Sequence, residues 1–326
     1  MFLCGDIGGT STKLALFENK KELKIIKEKR FASSSFSTFT DAIKEFLKDE
    51  NIKISVASFG IAGPVRDGKC RATNMPWIVD IDLIKKEFKW DKVYLINDLE
   101  ANAYGIEMLK ENELFTLNEG DKNTNGNRAL IAAGTGLGEA GLYFDGKKHI
   151  PFACEGGHTD FSPTNEDGIE LLRYLQKKYQ GHVSCERVIS GMGINNIYRF
   201  LADVKKESVD KGLDDILKKE DQPQILITKK AIEKESRICE KTIDWFISLY
   251  GSETGNLALK IFAIGGIYIG GGIAPKIIEI IKKSNFIKSF ANKGRFENLL
   301  LSMPLRVILN DNAALLGAAR YADIKK

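Results

Sequence analysis

Cysteine is scarce in this chain, and what there is does not pair. Cys4, Cys70, Cys154, Cys185 and Cys239 are scattered over 326 residues, odd in number, with no CxxC spacing. That pattern excludes a disulfide framework and a structural zinc site, and a reducing cytoplasm is the simplest compartment. Histidine numbers only three; His149 and His182 have no clustered metal-ligand residue near them in the sequence and read as surface and packing residues. A long apolar run is missing too. The most membrane-like stretch, residues 261–275, lies between Lys260 and Lys276 and contains five glycines. It is shorter than the roughly 18 apolar residues a span needs, so a buried strand with a glycine turn is expected, and no membrane partner. Nor is there an excess of one charge: the net charge is +4, with Lys and Arg interleaved among Asp and Glu. A nucleic-acid partner is not indicated. The opening MFLCGDIGGT has no basic or long apolar leader region, and residues 322–326 carry no address or lipidation signal. No signal peptide is therefore expected.

What is present is ordinary in bulk and specific in pattern. A chain of this length suggests two domains, and 43% hydrophobic with 28% charged residues suits a globular protein. Phe2-Leu3-Cys4 runs into Gly5-Asp6-Ile7-Gly8-Gly9-Thr10 and then into Leu14-Ala15-Leu16-Phe17. Apolar run, glycine turn, apolar run reads as a β-hairpin. The same grammar returns at 129–133, Gly134-Thr135-Gly136-Leu137-Gly138 and 140–144, which reads as a diverged internal repeat of two related halves. Between the hairpins, the apolar spacing predicts a helix over 39–48, strands over 54–61 and 92–96, and a helix from Leu99. Strands alternating with helices indicate α/β layers. The second half predicts helices over 168–178, 190–204 and 227–250, and an exposed connection over 204–224. A strand over 305–309 precedes Asn310-Asp311-Asn312, a candidate cap for a final helix over 313–322.

Two familiar patterns fail on context. Residues 63–70 nearly spell a Walker A loop, but Cys70 replaces the hydroxyl residue, Pro64 removes a donor, and no helix follows. Residues 136–141 fit GxGxxG, yet a strand follows where the dinucleotide fingerprint needs a helix. Four other loops carry chemistry. The first, residues 6–12, can turn backbone N–H groups toward phosphate, with Asp6 beside them to hold hydrated Mg²⁺; an ordinary Asp/Gly turn is the plainer alternative. Gly134–Gly138 is a matching loop for the outer phosphates. Asp98 follows a strand and suits a general base or, alternatively, a helix N-cap. Glu155-Gly156-Gly157-His158 is either a sugar-facing loop or a loop with a solvated carboxylate.

Together these loops resemble the bacterial-type glucokinase family, within the superfamily of sugar kinases, heat-shock ATPases and actin. The resemblance runs through residues 5–10, 59–65, 95–98, 133–138, 155–161, 181–188, 191, 255–259, 270–273 and 293–296, nearly the whole chain. It implies that Asp98 is the catalytic base and that Asn97, Asp98, Glu155, His158 and Glu186 hold the sugar. A hexose offers vicinal hydroxyls, and one carboxylate accepts from two of them. It implies ATP on Gly5, Asp6, Ile7, Gly8, Gly9 and Thr10, and on Gly134, Thr135, Gly136 and Gly138. Ser190, Gly191, Gly270, Gly271 and Gly272 should lie beside the adenosine. Cys154 and Cys185, each preceding a sugar carboxylate, read as buried and inert. The zinc-binding cysteine cluster of the related repressor and kinase group is missing after His158.

The expected fold is α/β: a two-domain actin-like ATPase (ribonuclease H-like) fold with a deep interdomain cleft. Residues 1–108 plus 301–326 form the small domain and 109–300 the large one. The expected activity is transfer of the γ-phosphoryl group of ATP to glucose, with Mg²⁺ held by Asp6 through water, in a cytoplasmic homodimer. A kinase for another hexose is the nearest alternative. A sugar-responsive repressor would need a helix-turn-helix ahead of the strand at Phe2, and a dead binding module should have lost Asp98 or a phosphate loop.

Overall fold

The two apolar runs flanking Gly8-Gly9 pair with each other. β1 (Phe2–Ile7) and β2 (Ser11–Asn19) form an antiparallel hairpin closed by Ile7 opposite Thr12. β3 (Leu23–Ala32) extends it; alternate side chains of β3 reach solvent, and its lysines keep that edge charged. On the other side β4 (Val56–Ile61), buried at every position, runs parallel to β1. A short ribbon of β5 (Lys69–Arg71) and β6 (Ile78–Asp80) stands apart, and β7 (Val93–Asn97) completes the main sheet parallel to β4. The sheet order is β3-β2-β1-β4-β7. The computed structural model describes residues 1–20, 22–71, 77–121 and 124–326.

Three helices belong to this first half. α1 (Phe39–Leu47) buries Phe39, Ala42, Ile43 and Phe46 on one stripe and is capped by Thr38, whose hydroxyl accepts from Asp41 N. α2 (Ile81–Phe88) is capped by Asp80. α3 (Asp98–Ile106) follows β7 directly.

The second half repeats the plan. After β8 (Leu114–Asn118), β9 (Arg128–Ala133) and β10 (Leu137–Phe144) form the second glycine hairpin, closed by Ala133 opposite Leu137. β11 (His149–Cys154) lies beside β10. α4 (Glu166–Tyr179) is capped by Asn165 and α5 (Gly191–Asp203) by Ser190. α6 (Lys211–Leu217), α7 (Pro223–Ile232) and the 25-residue α8 (Arg237–Ile261) follow. β12 (Ile267–Gly270) returns parallel to β9; after the short α9 (Ile278–Ile281), α10 (Phe286–Ala291) and α11 (Glu297–Leu301), β13 (Leu305–Ile308) pairs parallel to β12. The order is β11-β10-β9-β12-β13-β8. Each sheet thus has an antiparallel glycine hairpin whose first strand takes a parallel neighbour, which is the repeat the sequence suggested.

α12 (Ala313–Ile324) packs back on the first sheet, burying Leu315, Ala318, Ala319 and Ala322 against Phe2, Cys4, Ala15, Phe17 and Val56. Two compact units result: residues 1–113 with 150–153 and 310–326, and residues 114–149 with 154–309. The second core centres on α8, where Ile243, Phe246, Ile247 and Tyr250 recur at helical spacing and are fully buried. Each such side chain contributes about 1.5–3 kcal/mol by leaving water. Tyr250 Oη also accepts from Ala133 N at 3.2 Å and donates to Ile131 O at 3.3 Å, pinning α8 to the strand that enters the second hairpin.

Three expectations are corrected. The predicted helix over 227–250 is two helices. Lys234, at φ 57°, ends α7 in the left-handed region, and α8 begins after Ser236. The connection over 204–224 contains α6, capped by Asp210 and buried through Leu213 and Leu217 four residues apart. Asn312 precedes the last helix without capping it: its Oδ1 accepts from Lys13 Nζ, while its own N–H donates to Asn310 Oδ1 at 2.8 Å.

Candidate active site

Parallel strands in register bring their carboxyl ends, and the loops after them, to one edge, where α/β sheets place ligands. In the first unit Ile7 pairs with Ile61 and Ile61 with Asn97, so the loops that begin at Gly8 and Ala62 lie beside the start of α3 at Asp98. Ala62 N donates to Ile7 O at 3.1 Å, and Asn97 Nδ2 to Gly63 O at 3.2 Å, tying these loops together. The first hairpin is held from inside. Gly8 N donates to Ser11 O at 3.0 Å, Ser33 Oγ to Gly8 O at 2.7 Å, and Ser33 N to Thr10 O at 3.1 Å. Ser33, at the end of β3, had no signal in the sequence beyond being a small polar residue.

The two readings of Asp98 separate here. The cap of α3 is Asn97, whose Oδ1 accepts from Leu99 N at 2.9 Å and Glu100 N at 3.3 Å. Asp98 is the first helical residue; its Oδ1 accepts from Leu99 N at 3.0 Å. A carboxylate at a helix N-terminus sits in the favourable end of the dipole. Its charge also reaches Cys70: burial first, Asp98 second, push that thiol up to about 11.

Asp6 stands opposite Lys13 in the first hairpin. Burial raises its carboxyl above the ordinary value; Lys13 and Arg30 pull it back, and Asp311 raises it again. Lys13, with its side chain 6% exposed, lies 3.7 Å from Glu28 and 3.6 Å from Asp311. Gly5 is a packing position inside β1, where a Cβ would lie 2.8 Å from Leu14 Cδ2 and 2.9 Å from Phe59 Cδ1. Ile7 is buried in the core beside it.

In the second unit, Glu186 lies in the turn Cys185–Arg187 and its Oε2 accepts from Leu137 N at 3.0 Å, directly at the tip of the second hairpin. A Cβ at Gly136 would strike that carboxylate, while Gly138 follows inside β10. Glu155 precedes the turn Gly156–His158 and His158 ends it, with His158 Nδ1 3.6 Å from Glu155 Oε2 and both side chains exposed. Contrary to expectation, His182 has partners: its Nε2 contacts His158 O at 3.0 Å and its Nδ1 Asp160 Oδ1 at 3.0 Å, so it braces the same turn. Cys185 is buried, its thiol raised to about 12 by burial; Cys154 is half-buried and donates to Glu139 O at 3.3 Å.

Around the hairpin lies a cavity of about 600 Å³, lined by Gly134, Thr135, Gly191, Gly272, Ile273 and residues of α7. Gly191 N donates to Gly134 O at 2.8 Å, and Ser190 Oγ bridges Glu186 O (2.7 Å) and Gly193 N (3.1 Å). Glycine backbone and the exposed Ile225 and Ile232 give the cavity apolar surface, and Gln224, Thr228, Lys229, Glu233 and Lys276 give it polar and charged groups. Such a cavity suits a purine ring. The sequence offered no sign of the α7 wall.

Gly271 and Gly272 should respond differently to alanine. Gly271 has φ 81°, and an added Cβ would lie 2.7 Å from Ala133 C, whereas Gly272 has nothing within 4 Å. Gly271→Ala is expected to destabilise by about 1–3 kcal/mol. Gly272→Ala should leave the melting temperature unchanged and weaken nucleotide binding, because its methyl enters the cavity. Equal melting temperatures for the two variants would refute the assignment.

Among the described residues no helix is long and apolar enough to cross a membrane, and no three His, Cys, Asp or Glu side chains are grouped to hold a metal ion. Two α/β units, each with a glycine hairpin at the carboxyl edge of its sheet, define a two-domain ATPase of the actin-like fold. The comparisons agree. The chain matches the family described as Glucokinase over residues 3–325. It is 40% identical to a glucokinase of Trichormus variabilis, over 99% of this chain and 98% of that protein. The crystal structure of a glucokinase from an Antarctic psychrotroph superposes with a TM-score of 0.84 at 30% identity, over 99% of this chain and 98% of the other. A glucokinase from Streptomyces griseus, solved with glucose and AMPPNP, shares the fold with a TM-score of 0.65 at 20% identity, over 99% of each chain. The chain belongs to the glucokinase family.

Proposed function

We infer that the chain carries its family's activity, moving the γ-phosphoryl group of ATP onto the 6-hydroxyl of glucose. The register that sets Asp98 and the first glycine hairpin on one sheet edge carries this reading. Asp98 takes the 6-hydroxyl proton as that oxygen attacks phosphorus in line. Asn97, Glu155, His158 and Glu186 hold the sugar hydroxyls. Gly9 and Thr10 in the first hairpin, and Thr135 and Gly136 in the second, present backbone N–H groups to phosphate, because Gly8 N and Gly134 N are spent closing their own turns; Ser190, Gly191 and Gly270–Gly272 line the adenosine side. The cavity around Gly134, Gly191 and Gly272 supports the last assignment.

Asp6 fits a hydrated Mg²⁺: its carboxyl is partly desolvated, its lysine neighbour is shared with Glu28 and Asp311, and a cation would relieve the raised pKa. When bound, Mg²⁺ neutralises charge on the phosphate oxygens. The protein is taken as a cytoplasmic homodimer, following its family resemblance.

A coupled assay across hexoses and phosphoryl donors tests the reading. ATP with glucose should give the highest kcat/KM, and chelating Mg²⁺ should abolish turnover. A faster rate with another hexose, or turnover undiminished by chelator, would contradict it.

A further inference from the structure

Beneath the turn that carries Glu155 and His158 lies a carboxyl group with no part in the reading above. Glu139 projects from β10 opposite Ile131 and is 1% exposed. Its Oε1 has no hydrogen-bond partner among the described residues. The rest of the carboxyl packs on Gly156: a Cβ built there would overlap Oε2 and lie 2.7 Å from Glu139 Cδ. Gly157 rests on the neighbouring carbonyl of Leu137, where a Cβ would lie 2.9 Å from the carbonyl carbon. Residues 137–139 are thus the floor of the turn, and both glycines of Glu155-Gly156-Gly157-His158 are explained by their contact with that floor.

The groups facing Glu139 come from three sides. α8 contributes Glu253, Lys260 and Tyr250; Glu253 accepts from Asn256 Nδ2 at 2.8 Å and pairs with Lys260 Nζ at 3.3 Å. Cys154 and Cys185 lie on the strand and turn beside it, and Lys293, bonded to Ser252 Oγ at 3.2 Å, lies beyond Glu253. On the outer side of the turn stand Glu155, His158, Asp160 and His182. Lys260 is therefore shared between two buried carboxyl groups.

We propose that Glu139 is a positioning residue for the sugar-binding turn: its side chain is the seat on which Gly156 sets the Glu155 carboxylate. The inference rests on reading Glu155 and His158 as sugar ligands, and deepens it. Burial first, and the charge of Glu253 second, push the Glu139 carboxyl up to about 7, with Lys260 opposing. An acid whose folded-state pKa is raised favours the folded arrangement at low pH, and that advantage is lost as pH rises through the folded value. Above about pH 7 two buried carboxylates share one lysine, and the contact that yields is the one with Gly156. The turn lifts, and sugar affinity falls. Asp98, which begins α3 in the other unit, is unaffected, so kcat at saturating glucose holds.

The test compares the parent protein with E139Q and E253Q from pH 6 to 8.5. Hydrogen exchange of backbone 154–160, corrected for intrinsic rates, reads the turn without any sugar. In the parent, protection should fall and glucose KM rise at least threefold across this range, with kcat steady. E139Q keeps the size and neutrality of the seat, so both responses should vanish while protection stays at the parent's low-pH level. E253Q removes the repelling charge, so the midpoint should move to lower pH; that shift decides the matter should E139Q fail to fold. The comparison is between proteins, so a pH effect common to all three cancels. The same exchange profile in parent and E139Q overturns the proposal. If exchange responds and glucose KM does not, the seat stands and the reading of Glu155 as a sugar ligand falls.

Discussion

Asp98→Asn leaves a folded protein that binds glucose and turns it over about 10²- to 10⁴-fold more slowly. The substitution keeps size and most hydrogen bonding but removes the group that accepts the proton. General-base contributions of that order correspond to roughly 3–5 kcal/mol of barrier. Stability is the informative control. The N-cap of α3 is Asn97, which accepts from Leu99 N and Glu100 N and donates to Gly63 O. The bond that Asp98 Oδ1 accepts from Leu99 N at 3.0 Å is equally available to asparagine. Stability, read from the melting temperature, should therefore stay within about 0.5 kcal/mol of the parent. Glucose Kd should rise only modestly, because Asn97, Glu155, His158 and Glu186 are intact. Asn97→Ala is the mirror image: the lost cap costs about 1 kcal/mol, and the melting temperature falls. Near-normal turnover in Asp98→Asn would sink the general-base assignment.

What could be read from the sequence is what local chemistry dictates. Glycine between two apolar runs forces a turn, so both hairpins and their repetition were visible. The strand before Asn97-Asp98 was visible for the same reason, but the division of labour between the two residues was not, because Asn and Asp cap equally well. The break between α7 and α8 was hidden, since Glu233-Lys234-Glu235 contains no glycine or proline and lysine is a good helix former. α6 was hidden by its charge, having only Leu213 and Leu217 to bury. The cavity wall supplied by Gln224, Ile225 and Thr228 meets Gly134 some ninety residues away in sequence, and no local pattern encodes such a meeting. Glu139 carries no signal in the sequence, because a glutamate within a strand normally faces solvent. Only the packing of β10 under Gly156 shows that this one does not.

Gly317→Ala should lower stability, although helix propensity alone predicts the reverse. Gly317 is inside α12, and replacing an interior helical glycine by alanine ordinarily gains about 1 kcal/mol. Here the glycine faces α3. A Cβ would overlap the carbonyl oxygen of Ala101 and lie 2.6 Å from Gly105 N and 2.7 Å from Ala101 C. On the other side of the same crossing, a Cβ at Gly105 would lie 2.8 Å from the carbonyl carbon of Ala313. These neighbours are helix backbone, not side-chain ends, so nothing can rotate away and the helices must separate. Separation also disturbs the opposite side of α3, where a Cβ at Gly60 of β4 would lie 2.8 Å from Ala101 Cβ. Overpacking costs about 1–3 kcal/mol and more where backbone meets backbone, so about 2 kcal/mol should remain after the propensity gain. For a chain of this size that is roughly a 3 °C lower melting temperature. Because α3 begins at Asp98, kcat should fall with it, while the cavity beside Gly134 and Gly191, built wholly in the other unit, should bind nucleotide as before. Gly212→Ala in α6 is the control: its Cβ would meet only the Asp210 side chain, at 3.2 Å, and stability should hold or rise slightly. A Gly317→Ala protein that melts at or above the parent would show that α3 and α12 have room to spare, and that the seating of Asp98 does not depend on their contact.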